Sequence, residues 1–186
     1  MSELDLSHLS EGDMREALLL QERLKQLKDQ EQAQNSFLGF VDQIWPEFIE
    51  GRHHKIFAEK LERVANGEIK RLIVNMPPRH TKSEFASVHF PAWIMGRNPD
   101  MKVMQTTHTG ELAVRFGRKV RNLMDSQEFS HLFPDVRLKP DNKSAGRWET
   151  NKGGEYFAAG VGGAVTGRGA DLLIIDDPHS EQDALS

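Results

Sequence analysis

A lysine and a serine stand where a predicted strand gives way to a predicted helix. They end the segment at residues 71–83 (RLIVNMPPRHTKS), as Lys82 and Ser83. A strand, a tight turn and Lys-Ser at the start of a helix are typical of a phosphate-binding loop. Lys82 would neutralise the β- and γ-phosphates of a nucleotide, and the Ser83 hydroxyl would bind Mg²⁺. Pro77 and Pro78 have no N–H, so the cradle would come from the amides of Arg79, His80, Thr81, Lys82 and Ser83.

The loop departs from the usual pattern at two positions. The consensus G-x-x-x-x-G-K-[ST] has glycine where this chain has Met76 and Thr81. Thr81 is β-branched, so it must find an unstrained backbone conformation while a phosphate comes close. From the loop alone, a phosphate site and a Lys-Ser pair that merely begins a helix both remain open.

The Lys82 loop is one half of a nucleotide-binding pattern, and a second half-motif lies far along the chain, where four apolar residues precede two aspartates. Residues 172–177 read LLIIDD, and the acids are Asp176 and Asp177. In open α/β sheets, ligands bind beyond the carboxyl ends of the strands. Asp176 is placed to hold Mg²⁺, and Asp177 to orient or deprotonate an attacking water. Together, the two half-motifs predict a nucleoside triphosphate site.

Three other groups of side chains have a functional and a purely structural interpretation. His53 and His54 point to different sides of a helix, so we expect no shared metal, and base stacking is the functional alternative. Asp176, Asp177 and His179 could form a metal cluster, but the phosphate loop explains the aspartates better. The basic face of a later helix is either solvated or contacts DNA or another subunit; its members are Arg115, Arg118, Lys119 and Arg121.

The hydrophobic pattern predicts alternating strands and helices. Three apolar runs predict buried strands, at residues 70–75, 101–107 and 171–175. Residues 147–150 and 155–159 flank a Gly-rich turn, which predicts a hairpin. The order of elements predicts an α/β fold with a mainly parallel central sheet covered by helices on both faces. Pro91 is expected to kink or shorten the helix that follows Ser83.

Composition excludes several classes of function. The 186 residues carry a net charge of -4 and no cysteine, which excludes disulfide scaffolds, Cys-ligated zinc, iron–sulfur clusters and thiol nucleophiles. No apolar run approaches the ~20 residues that span a bilayer, and the first ten residues lack targeting features. We therefore expect a soluble, cytoplasmic protein without membrane contact. Residues 37–186 hold 20 acidic and 20 basic residues, so nucleic acid would have to bind local basic patches.

Residues 1–36 are predicted to form an acidic, helical N-terminal segment, with eight acidic and four basic residues. Ser10 and Asp13 have the spacing of a capping box at the helix start. Leu20, Leu24 and Leu27 form an apolar stripe along one helix face. This helix either lies on the domain formed by residues 37–186 or docks a partner subunit.

Two stretches resemble the ATPase domain of the large terminase subunit of tailed bacteriophages, the motor that pumps DNA into the procapsid. They are NMPPRHTKSE and GGEYFAAGVGGAVTGRGADLLIIDDPH, and GRHHKIF, RFGRKVRNLM and LFP followed by RWET support the resemblance. The resemblance covers residues 37–186. It implies a P-loop NTPase fold of the ASCE type, with ATP and Mg²⁺ as cofactors. The implied activity is ATP hydrolysis coupled to translocation of double-stranded DNA.

The resemblance also assigns roles to residues of both half-motifs. Lys82 and Ser83 match the Walker A pair, Asp176 the Walker B acid, and Asp177 the catalytic carboxylate. The predicted hydrolysis is an in-line attack by a water that Asp177 holds, while Lys82 and Mg²⁺ absorb negative charge.

Three further residues enter through the resemblance. Arg79 is the candidate for the arginine that terminases carry in the Walker A loop. Arg168 matches an arginine shortly before Walker B, proposed to reach the ATP of the neighbouring subunit; the alternative is a surface arginine in a flexible loop. His54 lies in the segment that contacts adenine in this family.

The implied partners are double-stranded DNA, the terminase small subunit and the portal of a procapsid, with the chain in a homo-oligomeric ring in the host cytoplasm. Terminase large subunits continue past Walker B with a coupling motif and a nuclease domain of the ribonuclease H type. We therefore expect a truncated, split or fragmentary motor without nuclease activity. Two alternatives stay open: a helicase-like DNA-dependent ATPase, and a non-catalytic nucleotide-binding or assembly module.

Overall fold

The computed structural model describes residues 10–163 and 167–179. The helices are α1 (Glu11–Asn35), α2 (Phe37–Ile44), α3 (Arg52–Ala65), α4 (Lys82–Glu84), α5 (Phe90–Arg97), α6 (Gly110–Met124) and α7 (Gln127–Leu132). A π-helical turn (Phe85–His89) joins α4 to α5. The strands are β1 (Lys102–Thr107), β2 (Leu138–Ser144), β3 (Arg147–Thr150), β4 (Glu155–Gly160) and β5 (Leu172–Ile175).

The five strands form one mixed sheet in the order β2-β3-β4-β1-β5. β1 runs parallel to β4 and β5, whereas β3 is antiparallel to β2 and β4. The prediction of a mainly parallel sheet of the ASCE P-loop type is therefore wrong. The hairpin between β3 and β4 was predicted, and it reverses the chain direction at Gly153, whose φ is 95°. β2 was missed because its sequence, LKPDNKS, is polar and has little strand pattern.

The strand predicted at residues 70–75 is wrong, because residues 71–77 lie outside every strand of the described chain. The side chains nevertheless alternate as in a strand. Leu72, Val74 and Met76 pack against the core, whereas Ile73 is 87% exposed. Alternation reports only which side chains meet the core, while strand formation also needs a neighbouring backbone. The Lys82 loop consequently does not follow a central strand.

Strand β5 also differs from its prediction as a strand buried on both faces. Ile174 is buried, but Leu173 and Ile175 are 53% and 58% exposed. β5 forms one edge of the sheet, and these exposures show that the described residues cover only one of its two faces.

The helical run from α4 to α5 continues through Pro91 without a break. The Phe90 N–H donates to the Phe85 carbonyl, five residues earlier, which widens the helix by one residue just before the proline. Proline has no N–H and its ring crowds the preceding turn. The π-helical turn therefore absorbs the distortion that the sequence predicted as a kink or an early end.

Only the last part of α1 packs closely on the rest of the domain. Ala33 is fully buried, and its carbonyl accepts a hydrogen bond of 2.7 Å from Trp93 Nε1. Leu20, Leu24 and Leu27 are 59%, 58% and 46% exposed, so the predicted apolar stripe faces away from the described domain. Within residues 10–163 and 167–179, every helix is too short or too polar to span a lipid bilayer.

Helix α6 packs against β1 and β4, and the contact is close at Gly117. A Cβ atom there would lie 2.5 Å from the Ala145 carbonyl oxygen. The Gly117 carbonyl accepts a hydrogen bond of 3.3 Å from Trp148 Nε1, and the Trp148 ring stacks on Tyr156 with centroids 4.8 Å apart. The absence of a side chain at Gly117 thus brings α6 against the sheet.

Gly117→Ala is expected to lower the free energy of unfolding by about 1–3 kcal/mol, because overpacking at a backbone contact must displace α6. Equilibrium urea unfolding measures the change. Gly12→Ala in the exposed part of α1 is the matched control, since a Cβ there meets only Ser10 Oγ at 3.6 Å. The control should be neutral or stabilising by up to about 1 kcal/mol. Equal effects of the two substitutions would contradict the packing argument.

Candidate functional site

The candidate site lies at the carboxyl edge of the parallel strands. The Asp176 N–H donates to the Thr106 carbonyl at 2.9 Å, and the His108 N–H donates to the Asp177 carbonyl at 3.2 Å, so the ends of β5 and β1 are tied together. Lys82 Nζ lies 2.6 Å from Asp177 Oδ1 and 3.3 Å from Asp176 Oδ1. The lysine and the two aspartates, predicted separately, therefore occupy one site.

Asp176 is the buried member of this group and has a second partner. The hydroxyl of Ser87, itself fully buried, donates to Asp176 Oδ2 at 2.8 Å. Sequence reasoning missed Ser87. Its signal was its place as one of two polar residues in the mostly apolar stretch FASVHF. The serine and Lys82 together fix the Asp176 carboxylate from two sides.

Lys82 is the cation of the site. Burial alone would lower its pKa, but the hydrogen bond to Asp177 and the charges of Asp176 and Asp177 outweigh burial and raise the pKa. The lysine is therefore fully charged near neutral pH. Asp177 differs from Asp176 in that its side chain is 64% exposed, so the carboxylate stands at the open side of the site.

The backbone around the site adopts unusual conformations. In the described ranges, the non-glycine residues with positive φ are Arg79 (63°), Thr81 (62°) and Asp177 (45°), and all three belong to the candidate site. Left-handed conformations at such residues cost about 1–3 kcal/mol each and cluster at functional sites. His80 lies between two of them and is not left-handed. Successive backbone N–H groups in a turn with left-handed residues can form a concave arrangement that binds anions.

His54 contacts this loop from α3. Its Nδ1 accepts a hydrogen bond of 2.9 Å from the Gly51 N–H, and its Nε2 lies 2.7 Å from Thr81 Oγ1. The ring is packed against Phe48 and Phe85, with centroids 4.8 Å and 5.1 Å away. Both ring nitrogens are thus engaged within the protein, and the predicted contact with adenine would have to use the ring face or edge.

The remaining predicted loop residues lie beside Lys82. Arg79 and His80 are exposed, and Ser83, the predicted metal ligand, is half-buried in α4. His80 Nδ1 lies 2.9 Å from the Pro78 carbonyl oxygen. In the part of the chain that the structure describes, no group of three or more His, Asp or Glu side chains could hold a metal ion. The alternative metal cluster of Asp176, Asp177 and His179 thus has no geometric support.

Arg168 lies near the amino ends of the parallel strands, the opposite end from Asp176. Its Nη1 is 3.0 Å from Oε1 of Glu155, the first residue of β4, and its guanidinium stands over the Phe157 ring, 4.1 Å from the centroid. The full length of β5, about 13 Å for four extended residues, separates this end from Asp176. Arg168 is therefore not part of its own chain's Lys82 site.

The basic face of α6 begins beside the site. Exposed Arg115 and Arg118 line a groove of about 380 Å³ that starts at His108, whose N–H is bonded to Asp177. Lys119 instead forms an ion pair with Glu84, in the turn that carries Lys82. The groove contains one acidic side chain, Glu111. A cationic groove and the Lys82 site are thus linked through one helix.

Comparison of the chain with models of known protein families gave no match, and comparison with curated proteins gave no significant match.

Proposed function

We propose that this chain binds Mg-ATP at the Lys82 site and hydrolyses it, acting as the motor ATPase domain of a phage terminase large subunit. The convergence of Lys82 with Asp176 and Asp177 supports this proposal most strongly. It joins a phosphate-binding cation to two carboxylates at a sheet edge where ligands of α/β proteins bind. The proposal rests on this site and on the quoted sequence stretches, and not on the sheet, whose mixed strand order differs from the ASCE-type sheet that the resemblance implied.

The residues divide the chemistry between them. Lys82 would neutralise the β- and γ-phosphates, and the N–H groups around Arg79 and Thr81 would receive phosphate oxygens. Asp177, which is exposed and faces the same cation, would orient the attacking water. Nucleotide binding would also draw Lys82 away from its present ion pair with Asp177 and free that carboxylate for its role.

The donor set fits a magnesium ion. Mg²⁺ prefers oxygen ligands and is usually held by one or two protein side chains together with substrate phosphates and water. The Asp176 carboxylate and the Ser83 hydroxyl would supply the protein ligands, and Ser87 would keep the carboxylate oriented. When bound, the ion neutralises the charge that develops on the phosphate oxygens.

Double-stranded DNA is the proposed partner for the basic groove of α6. Arg115 and Arg118 are exposed and next to the ATP site, and phosphate contacts require such side chains. The Lys119–Glu84 ion pair would transmit a shift of α6 to the turn that carries Lys82. The terminase proposal adds a small subunit, a portal and a ring of copies in the host cytoplasm. In such a ring Arg168 would act on the neighbouring subunit, after leaving Glu155.

Phosphate release by the purified chain tests the proposal, with Mg-ATP alone and with linear double-stranded DNA. We expect magnesium-dependent turnover that rises several-fold with DNA and loses this stimulation at high salt. The double variant Arg115→Glu/Arg118→Glu should lose the stimulation. The matched control Lys25→Glu/Lys28→Glu places the same charge change on α1, away from the groove, and should retain it.

Three outcomes would replace the proposal. Nucleotide binding without any turnover indicates a nucleotide-binding or assembly module. Stimulation by single-stranded DNA alone indicates a helicase-like ATPase. Absence of nucleotide binding by the wild-type chain refutes the assignment of the Lys82 site.

A further inference from the structure

A chain of directed hydrogen bonds joins α3 to the Lys82 loop. Because the Gly51 N–H donates to His54 Nδ1, the neutral ring carries its proton on Nε2. That N–H donates to Thr81 Oγ1 over 2.7 Å. The Thr81 hydroxyl in turn donates to the His80 carbonyl at 2.6 Å. Every polar atom of the His54 and Thr81 side chains therefore has a defined role.

The last link of this chain is the residue that departs from the glycine pattern. Thr81 has φ 62° and ψ 9°, a left-handed conformation that glycine adopts freely and a β-branched residue rarely adopts. The next residue, Lys82, begins α4, so the conformation of Thr81 sets the direction in which the lysine leaves the loop. A threonine here needs an interaction that holds it in place, and His54 makes that interaction.

We propose that His54 is a positioning residue for the phosphate-binding loop: through the Thr81 hydroxyl it holds the loop in the left-handed conformation that directs Lys82 toward the phosphates. Thr81 and His54 together then maintain the left-handed conformation that a glycine at position 81 would adopt without support. This inference rests on the proposed nucleotide site. It gives His54 a task different from contact with adenine.

The arrangement also makes the loop sensitive to acid. Protonation would place an N–H on Nδ1, opposite the Gly51 N–H, and break the hydrogen bond that orients the ring. Burial, and next the charges of His53 and His80, lower the pKa of His54, while Glu50 opposes them. The native ring is thus neutral at pH 7. In the unfolded chain the His54 ring has its ordinary pKa of about 6.5, which is higher than in the folded chain. As pH falls below about 6.5, the unfolded chain therefore binds a proton before the folded chain does, and the contribution of this contact to the free energy of unfolding is lost.

Binding of a fluorescent ATP analogue with Mg²⁺ at pH 8 tests the proposal in a double-mutant cycle. Thr81→Val keeps the strained backbone without the hydroxyl, and His54→Phe keeps the ring packing without the nitrogens. Each should raise Kd about 5- to 10-fold, the value of one hydrogen bond. Glycine adopts the left-handed conformation without help from His54. In the Thr81→Gly background, the further substitution His54→Phe should therefore change Kd less than 2-fold, because the two residues act through one interaction. His131→Gln, which changes an exposed histidine of α7, is the control and should bind like the wild type.

A pH series separates His54 from other histidines. Wild-type Kd should rise between pH 7 and pH 5, whereas His54→Gln, which can still donate to Thr81, should bind nearly as well as wild type at pH 8 and lose most of this rise. His89 is buried and its pKa is lowered, mainly by burial. Its Nδ1 lies 2.8 Å from the Glu84 carbonyl at the end of α4, and its ring contacts Trp45 and Phe85, so its hydrogen bond is to α4 and not to Thr81. An undiminished pH response in His54→Gln would overturn the role of His54.

Two measurements without nucleotide distinguish failure of this inference from failure of the proposed function. Long-range ¹H–¹⁵N spectra should assign the Nε2–H tautomer to His54. Hydrogen exchange of the Phe85 amide, which donates to the Thr81 carbonyl at 2.9 Å, should accelerate in His54→Phe. An Nδ1–H tautomer, unchanged exchange, or additive effects in the cycle would overturn the positioning role. If the wild type binds no nucleotide while tautomer and exchange are as expected, the proposed nucleotide site fails, and the support of the loop by His54 stands.

Discussion

Lys82→Ala is expected to reduce ATP turnover by about 10²–10³-fold, the usual effect of removing one preorganised group that stabilises transition-state charge. Lys82 is the one cation found within 4 Å of both Asp176 and Asp177 in the described chain. Without it, the phosphates would meet two carboxylates with no compensating charge, so Kd for Mg-ATP should rise as well. Phosphate release and titration with a fluorescent ATP analogue measure the two effects.

Two controls make this result interpretable. Lys60→Ala removes a half-buried lysine that forms an ion pair with its neighbour Glu59, and it should leave both turnover and binding unchanged. Since Lys82→Ala also strips buried Asp176 of its counter-charge, circular dichroism must first establish that the variant is folded. Wild-type turnover in a folded Lys82→Ala variant would show that this lysine is not the phosphate-binding residue.

The residues of the candidate site were predictable because each half-motif is local. Lys-Ser after a tight turn, and two aspartates after an apolar run, can each be recognised within a dozen positions. The aspartates follow β5 at the carboxyl edge of the sheet, where ligands of α/β proteins gather, but the Lys82 loop reaches them without following a strand. The residues of the site could therefore be named from the sequence, whereas the way in which the fold brings Lys82 to the aspartates could not.

The sheet itself could not be predicted in the same way, because strand pairing is a long-range property. Residues 70–75 and 171–175 have similar apolar patterns, yet only the second forms a strand, with β1 as its partner. The hydrogen bonds between strands depend on which backbone segment lies alongside, and the sequence of a single apolar run does not show which segment that is. The polar strand β2 illustrates the reverse case, since its pairing with β3 overrides a weak local preference.

The supporting residues of the site were hidden for a related reason. Ser87 meets Asp176 across 89 positions of sequence, and His54 meets Thr81 across 27. Neither pair forms a spacing motif. Thr81 was recognisable as an anomaly in the loop, but its partner depends on how α3 packs. Sequence reasoning thus located the groups that would touch the ligand and missed the contacts that orient them.

Asp177→Asn is expected to separate binding from hydrolysis. Asn is nearly isosteric and tolerates the left-handed backbone of this position, whose φ is 45°, so the substitution removes charge without adding strain. Loss of the group that orients or deprotonates the water should lower turnover by about 10²–10⁴-fold. Kd for Mg-ATP should stay the same or fall, because Lys82 loses the carboxylate that competes with phosphate at 2.6 Å.

The direction of the Kd change distinguishes this site from a simple salt bridge. If Asp177 only stabilised the folded chain through Lys82, the Asp177→Asn variant would bind nucleotide more weakly and unfold more easily. We expect instead little change in the free energy of unfolding, because the Asp177 side chain is 64% exposed. Asp125→Asn, an exposed aspartate at the end of α6, is the matched control and should turn over like the wild type. Weaker binding with retained hydrolysis in Asp177→Asn would assign the catalytic carboxylate elsewhere.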